Sequence, residues 1–584
     1  MVRKLIEKPI PSGRFWLVAL VLITLPLMLI AKIAQLQVFP DAAKGGAFLR
    51  DQGDSRAIRQ QVIPAYRGVI ADRNGEPLAL SIPVTTLIAD PKRLQSAASQ
   101  EQLEVLASAL DISVTALHDK LARYRKKSFM VLSKQLPVEE AEAVLALRIP
   151  GVSSRKDYKR FYPAGEVTAQ LVGITDKDDA GQEGIELAYD AWLSGELGNR
   201  KILQDETGRV IKDLSLIKAA KPGRELRLSI DLRVQYAAYR ALKGAVQKHG
   251  AKSGSVVVLD VASGEVLAMA NQPSFNPNDR SAFKPGAIRN RAMLDLIEPG
   301  STVKPFTILA ALQSGLFDLD SEVDTSPGYL KVDYKTFVDA DDYGRLNLTQ
   351  ILAKSSQVGT TKIALQLDPE KTRQLFEKIG LGESTGSGFP AEAVGNLPAH
   401  TTWDAVTQAT FAFGYGFNVT SLQLARAYAV LANNGVRREV SLIANDERFT
   451  GAHLFDPRLV ETVRGMLQIA TSSQGTGSKA MIEGYTVAGK TGTLHKVKAG
   501  GGYAKDRYTA TFAGLAPATH PRLVTVVVID EPAHGNYFGG LVAAPVFSEV
   551  TSNALRLLQV PPDSDGTQSA LLSRLMAVEK KSES

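Results

Sequence analysis

Cysteine is absent from all 584 residues. That excludes disulfides, thiol chemistry and any cysteine-ligated metal. It is neutral on compartment, because a chain without thiols also avoids stray pairing in an oxidising space. Histidine is scarce. The seven present (118, 249, 400, 453, 495, 520 and 534) are scattered, with no H-E-x-x-H or H-x-E pairing. Each reads as a surface or packing residue, including His495, which lies close to a motif described below. No metal and no other cofactor is expected. Long blocks of like charge are also missing. The 68 basic and 61 acidic residues leave a net charge of +7 spread along the chain. Without a basic helix or stripe, a pI near 9.1 does not argue for nucleic acid.

A chain of this length can hold two or more domains with substantial cores. One long apolar run stands near its start, from Phe15 to Ala31, broken only by Thr24 and Pro26 and continued amphipathically to Phe39. It is close to the lower limit for a spanning helix, roughly 17–25 residues. Arg3, Lys4, Lys8 and Arg14 precede it, so the positive-inside bias places the N-terminus in the cytoplasm. No convincing A-x-A site comes after it, which favours an uncleaved anchor over a signal peptide. The remaining residues are then expected outside the cytoplasm, where ATP is scarce.

The informative pattern is an ordered set of three short motifs. Ser301 stands in Glu298-Pro-Gly-Ser-Thr-Val-Lys-Pro305, followed by Ser355-Ser-Gln357 and by Lys490-Thr-Gly-Thr493. Serine and lysine three apart at the start of a helix share a face. A buried lysine can lose its proton there and activate the hydroxyl as a nucleophile. The set S-x-x-K, S-x-amide, K-T-G is the signature of serine enzymes that acylate on penicillin.

Each member alone is weak. Serine precedes lysine by three also at Ser153/Lys156, Ser215/Lys218 and Ser281/Lys284, and a K-S-G tripeptide stands at Lys252-Ser-Gly254. Ser301 differs by its preceding Pro-Gly turn, the apolar helical run after it, and the two motifs downstream. Pro305 falls in the first turn, where a missing N–H matters little. Gly484 to Thr491 also matches G-x-x-x-x-G-K-[ST] letter for letter. Its loop positions Tyr485, Thr486 and Val487 are β-formers, and the residues from Gly492 to Val497 do not open like a helix, so a phosphate loop is not expected.

The order of elements suggests α/β (α+β) architecture. Arg67 to Gly75 reads as a strand running into an Asn-Gly hairpin, and leucines 103, 106, 110, 117 and 121 mark helices on either side of Asp111. Arg160-Phe-Tyr-Pro163 and Gly181 to Glu186 punctuate a second extended region. Ser255–Asp260 and Gly264–Ala270 read as a hairpin, a helix-rich stretch runs from about 300 to 470, and strands return at 485–493, 508–513 and 522–529. Strands at both ends with helices between suggest an antiparallel sheet whose ends meet. Expected boundaries are a cytoplasmic tail 1–14, an anchor 15–39, a pedestal 40–225, a catalytic domain 226–560 and a disordered tail 561–584, with a short helix near 571–576.

Over nearly its whole length the chain resembles the class B penicillin-binding proteins, most of all the division-specific peptidoglycan transpeptidases of the penicillin-binding protein 3 type. Beside the three motifs, the likeness rests on Arg67-Gly68 with Asp72-Arg-Asn-Gly75, Arg160-Phe-Tyr-Pro163, Phe413-Gly-Tyr-Gly416 and Tyr537-Phe-Gly-Gly540. The resemblance implies an elongated pedestal followed by a β-lactamase-like transpeptidase domain, an antiparallel sheet flanked by helices, inhibition by β-lactams, and stem peptides ending in D-Ala-D-Ala as substrate. It also implies a place in the inner membrane at the septum, beside a membrane glycosyltransferase and other division proteins. Ser301, Lys304, Ser355 and Lys490 would be catalytic. Gln357, Thr491, Gly492 and Thr493 would hold substrate, with Tyr415, Tyr537 and Phe538 walling the pocket, though core packing explains those three aromatics equally well. Two departures stand out: Gln357 replaces the family's usual asparagine, and K-T-G-T replaces the K-S-G-T usual in the division branch. A specialised second copy of the division enzyme fits both.

Rival readings are a carboxypeptidase or β-lactamase with the same nucleophile, and a non-catalytic penicillin sensor or division scaffold. Fast hydrolysis needs a carboxylate base, and no E-x-x-L-N segment stands between the second and third motifs. Intact Ser301, Lys304, Ser355 and Lys490 argue against decayed chemistry.

Overall fold

The computed structural model describes residues 12–37, 48, 51, 53, 57–205, 210–279, 281, 283–399, 402–444, 451–498 and 501–564. Arg3, Lys4, Lys8, Phe39, His400 and the short helix expected near 571–576 lie outside them. Helix α1 (Ser12–Gln37) carries the apolar run, and its large side chains from Phe15 to Ile33 are exposed. Its 26 residues rise about 39 Å at 1.5 Å each, enough to cross a ~30 Å hydrocarbon core. The window Ser12–Gln35 is long and apolar enough for a membrane span.

Two compact units are each assembled from separated stretches. The first takes Met1–Tyr66, Pro83–Lys159 and Gly195–Pro222, the second Arg67–Ile82, Arg160–Ser194 and Gly223–Ser584. Stretches 67–82 and 160–194, which lie within the expected pedestal boundaries, therefore group with the second unit. Part of the reason is electrostatic: Arg67 and Arg160 both reach the buried Glu186 carboxylate, at 2.6 and 2.7 Å.

In the first unit, β1 (Ile58–Ile63) starts a three-stranded antiparallel sheet. The long strand β2 (Pro77–Ala89) contributes its later half. Helices α2 (Gln100–Ala109) and α3 (Val114–Tyr124) stand on either side of Asp111, as their leucine spacing predicts, capped by Ser99 and Ser113. Leu103, Leu106, Leu117 and Leu121 pack with Leu87 of β2 and with Met130, which opens strand β3 (Met130–Leu136). The sheet begun by β1 is completed by β4 (Gly198–Gln204) and β5 (Val210–Lys218), in the order β1-β4-β5. All nine residues of β5 are exposed.

The second unit is built on a five-stranded antiparallel sheet. Helix α4 (Leu232–Lys248) leads into β6 (Ser253–Asp260) and β7 (Val266–Gln272). Then come α5 (Lys304–Ser314), α6 (Leu348–Lys354), α7 (Gln357–Ala364), α8 (Ser421–Ala432) and α9 (Pro457–Ala470). The chain returns through β8 (Ala488–Val497), β9 (Tyr503–Ala516) and β10 (Leu523–Asp530), and α10 (Ala544–Leu557) comes last. Strand order is β7-β6-β10-β9-β8, so first and last strands meet at Val257↔Val526, as expected. Both faces of the sheet are covered. Val257 and Val526 pack towards α8 and α9, while Val256 and Val527 pack towards α4 and α10. Covering both faces accounts for the unbroken Val-Val-Val-Leu run of β6, because no position is left for a polar side chain. Each such buried side chain stabilises the fold by roughly 1.5–3 kcal/mol.

Three details differ from expectation. Between Tyr162 and Gly184 the chain makes helical turns at Gly165–Val167 and Ala169–Val172 rather than extended structure. The helix-rich stretch also contains four strands of three or four residues between Glu322 and Asn347. Finally, residues 561–564 are held in place: Asp563 accepts hydrogen bonds from the Thr486 backbone and from the Thr486 and Thr519 hydroxyls.

Candidate active site

Ser301 lies in a single 3-10 turn, Gly300–Val303, that leads directly into α5. Gly300 has φ +55°, and a Cβ there would lie 2.6 Å from the Leu494 side chain. Its N–H donates to the Gly414 carbonyl at 3.0 Å, while a Cβ on Gly414 (φ +89°) would strike Gly300 O at 2.3 Å. The Ser301 turn is thus fixed by two glycines that approach too closely for any side chain. Tyr428 OH donates to Thr302 O from beneath it, at 2.7 Å.

Lys304 comes next, in the first turn of α5, and is fully buried. Its ammonium donates to Ser355 O (2.6 Å), Ser356 O (3.1 Å) and, longer, Ser355 Oγ (3.4 Å). Burial pushes its pKa down to about 7, and the nearby Asp339 carboxylate works in the opposite direction. Half-neutral near neutral pH, this amine can take up or give back a proton.

The geometry that presents those carbonyls is unusual. Ser355 sits between α6 and α7 with φ +59° and ψ 35°, a left-handed conformation that residues other than Gly, Asn and Asp seldom adopt. Such a residue carries roughly 1–3 kcal/mol of strain and persists only where its surroundings hold it. Ser356 then caps α7, its Oγ accepting from Gly359 N at 2.8 Å. Asp339 secures the same corner, its carboxylate accepting from Ser356 Oγ, Gln357 N and Val358 N. Sequence reasoning missed Asp339: it is 16 residues upstream of Ser355 in an acidic stretch that reads as solvated surface.

Gln357 opens α7, partly exposed. Its side chain makes no hydrogen bond among the described residues, and so none to Lys304. The Ser355 and Ser356 carbonyls occupy the ammonium instead.

Lys490 is buried on the edge strand β8, opposite Ala513 of β9. Its nearest partners are Thr491 O and Oγ1, both at 3.4 Å. Burial, and then the charge of Lys304, hold its pKa well below the ordinary lysine value. A strand, not a helix, carries this lysine, so the phosphate-loop match at Gly484–Thr491 is coincidental. Thr491 Oγ1 meets Thr476 Oγ1 at 2.9 Å, and Thr493 Oγ1 accepts from Gly539 N at 2.9 Å. Gly492 faces the Ser301 turn, where a Cβ would be 3.1 Å from Thr302 Cγ2. Its smallness therefore serves turn-to-strand packing.

The three aromatics separate into two groups. Tyr415 is partly buried, in edge contact with Phe413 and Tyr503. Tyr537 is stacked between Tyr508 (3.9 Å) and the exposed Phe538 (4.5 Å), and His495 extends the stack at 4.5 Å from Tyr508. Both groups flank the segment that carries the third motif. Glu298, three residues before Ser301, was also missed. One of its oxygens accepts from Gly416 N (2.9 Å) and Tyr503 OH (3.1 Å), tying the Tyr415 loop and the β8–β9 hairpin to the Ser301 segment. Among the described residues no cluster of His, Asp and Glu could hold a metal ion.

The family model of the penicillin-binding protein transpeptidase domain matches residues 254–552, and that of the penicillin-binding protein dimerisation domain matches residues 62–228. The peptidoglycan D,D-transpeptidase FtsI of Escherichia coli is 40% identical over 94% of this chain and 93% of its own length. This chain belongs to the class B penicillin-binding proteins. A Pseudomonas aeruginosa member of the family, named "Probable peptidoglycan D,D-transpeptidase PbpC", is 42% identical over 94% of this chain and 96% of its own. The crystal structure of penicillin-binding protein 3 from Mycobacterium tuberculosis, complexed with aztreonam, aligns over 87% of this chain and all of its own, with a TM-score of 0.67 and 27% identity. The resemblance carried by the motifs and the mixed α/β fold are therefore borne out.

Proposed function

We propose that this penicillin-binding protein is a serine D,D-transpeptidase that cross-links peptidoglycan stem peptides at the division septum, with Ser301 as nucleophile. The observation that carries the reading is the buried Lys304 amine, one turn after Ser301 and in contact with Ser355. Lys304 takes the Ser301 proton, and Oγ attacks the carbonyl carbon between the two terminal D-alanines. The Ser301 and Thr493 N–H groups stabilise the resulting oxyanion. Losing one such donor typically costs about 3 kcal/mol of transition-state stabilisation. As the C–N bond breaks, Ser355 passes a proton to the departing D-alanine nitrogen and is reprotonated from Lys304, which held the Ser301 proton. The amine of a second stem peptide then attacks the acyl-enzyme, forming the cross-link and returning Ser301 Oγ–H.

Lys490, Thr491 and Thr493 are the groups assigned to the donor's terminal carboxylate. Tyr415, Tyr537 and Phe538 would border it. Helix α1 would anchor the chain in the inner membrane with its N-terminus in the cytoplasm, next to a glycosyltransferase and other division proteins.

The test is labelling with a fluorescent penicillin followed by mass mapping of the adduct. The adduct is expected on Ser301 and absent from Ser301→Ala. A label on Ser153, Ser215, Ser281 or Ser355 would sink the assignment.

A further inference from the structure

In the first unit, strand β3 closes one margin of its sheet. It pairs with β2 alone, so its other backbone edge has no partner strand among the described residues. A groove of about 590 Å³ runs along β3, lined by residues 127–134 and by Lys120 and Tyr124 of α3. Met130 and Leu132 turn their side chains into the core, so backbone is what they offer the groove. The open N–H and C=O groups of such an edge are a ready template for another strand. Lys120 covers it only in part: its ammonium donates to Leu132 O at 2.9 Å and keeps two further N–H groups.

Positive charge is spread along the chain as a whole but gathers here. Residues 119–134 hold six lysines and arginines against the single Asp119. Arg123, Arg125 and Lys126 are exposed and have no carboxylate partner among the described residues. The Lys127 ammonium is met only by the Tyr124 ring, 5.5 Å from its centroid. At the free edge β5, by contrast, Asp213 and Lys218 are already paired with Arg200 and Glu196. Lysines beside an edge commonly deter pairing, and alone this cluster reads as such a guard. Phe129 argues otherwise. It lines the groove immediately before β3 with its ring half exposed, an apolar contact that a purely deterrent edge would not present.

We propose that this edge receives an extended acidic segment of a partner protein, added to β3 as a further strand. Main-chain hydrogen bonds to the open edge supply the affinity of such an addition, and side chains supply its specificity. Charge complementarity selects the segment: its carboxylates lie against the lysines that flank the edge, and an apolar side chain lies against Phe129. A basic or neutral strand would meet the same lysines as a barrier. The proposal does not depend on the chemistry assigned to Ser301.

The test uses the full chain held in nanodiscs of neutral phosphatidylcholine. The probe is a fluorescently labelled peptide of three Glu-Thr-Glu-Val repeats, read by anisotropy. Three Glu-Pro-Glu-Pro repeats are the control, with the same charge but with prolines that cannot donate to a ladder. Binding of the first peptide and not the second is expected, with slowed amide hydrogen exchange in β3. Lys126→Glu combined with Lys127→Glu should weaken binding by about tenfold or more, as two attractive surface charges become repulsive. Raising the salt from about 0.05 M to about 0.5 M should weaken it in the same direction. Phe129→Ser should cost about threefold through the lost ring contact. Melting transitions check the fold of each variant, and Phe129→Ser gives an independent reading if the double charge reversal unfolds the protein. Equal binding of the proline peptide, or binding without protection of β3, overturns the added strand. No binding of either peptide, or affinity unchanged in both variants, overturns the site altogether. Protection of residues 120–136 without peptide, appearing when the discs contain phosphatidylglycerol, overturns the proposal in favour of an anionic membrane surface.

Discussion

Lys304 and Lys490 are both buried amines with lowered pKa values, yet the regions that hold them differ. Lys304 lies between helices, its ammonium facing two carbonyls and the field of a carboxylate. Lys490 lies on a sheet edge with only distant oxygens of its neighbour. An amine whose hydrogen bonds are already made is a poor ligand for an incoming anion, but it is well placed to exchange a proton. An amine buried with few partners gains most from an anion that arrives later. Under the proposed mechanism, the contrast assigns proton transfer to Lys304 and carboxylate recognition to Lys490.

Removing each amine is the strongest way to break that comparison. Lys304→Ala should slow acylation by penicillin the most, by up to ~10⁴-fold, the upper range for a general base. The protein should remain folded, as judged by its melting transition. Lys490→Ala should slow acylation by roughly 10²–10³-fold, the loss expected when one partner of a buried charge pair is truncated. That penalty should fall on acyl donors with a free carboxylate and largely vanish for their methyl esters. Equal losses on acids and esters would remove the assigned division of labour.

The pH profile sharpens it further. In the proposed mechanism Ser301 activation needs neutral Lys304, so the acylation rate should rise with pH, with a midpoint near 7, falling about tenfold per unit below it. Stability has the same sign. Between about 7 and the unfolded lysine value near 10.4, the unfolded chain holds a proton that the folded one lacks. This group's contribution to stability therefore rises with pH through that window and is least below 7. Rates independent of pH from about 5.5 to 8.5, a span that brackets the midpoint, would show that Lys304 is not the base.

Asp339 tests the environment that keeps Lys304 apart from Lys490. Its negative charge raises the Lys304 pKa, so Asp339→Asn should move the acylation midpoint downward. Losing a carboxylate that accepts from two backbone N–H groups of α7 should also destabilise the fold by about 1 kcal/mol, as for a lost helix cap. A midpoint that stays put while the melting temperature falls would assign Asp339 to helix capping alone.

Legibility in the sequence depends on the distance over which each feature is encoded. Ser301 and Lys304 are one helical turn apart, and Pro305 and the apolar run announce that helix locally. The buried strands of the sheet show as continuous Val and Leu runs. Asp339, by contrast, bonds a helix start 17 to 19 residues away, with a three-residue strand too brief to alternate and helix α6 between them. Glu298 acts on Gly416 and Tyr503, 118 and 205 residues downstream. The left-handed Ser355 has no local signal, since serine carries no preference for that conformation. It is imposed by the two helices that meet there.

Gln357 carries the smallest expected effect and the finest test of the Lys304 side. With its ammonium taken by the Ser355 and Ser356 carbonyls, Lys304 makes no demand on the residue-357 amide, which is left for substrate. Gln357 has the same amide as the family's usual asparagine, set one methylene further out. Its side chain makes no hydrogen bond among the described residues, so the extra rotor is free before substrate binds. Freezing it costs roughly 0.5–1 kcal/mol, a two- to fivefold penalty on any step that needs the amide in place. Gln357→Asn should accordingly raise the acylation rate by a few-fold without moving the melting temperature or the pH midpoint, because neither Lys304 nor the α7 cap is touched. Slower acylation by the asparagine variant would mean that the surrounding pocket has adapted to glutamine. A shifted pH midpoint would mean that the amide does reach Lys304 during the reaction, and the separation of proton transfer from recognition would then fail at this residue.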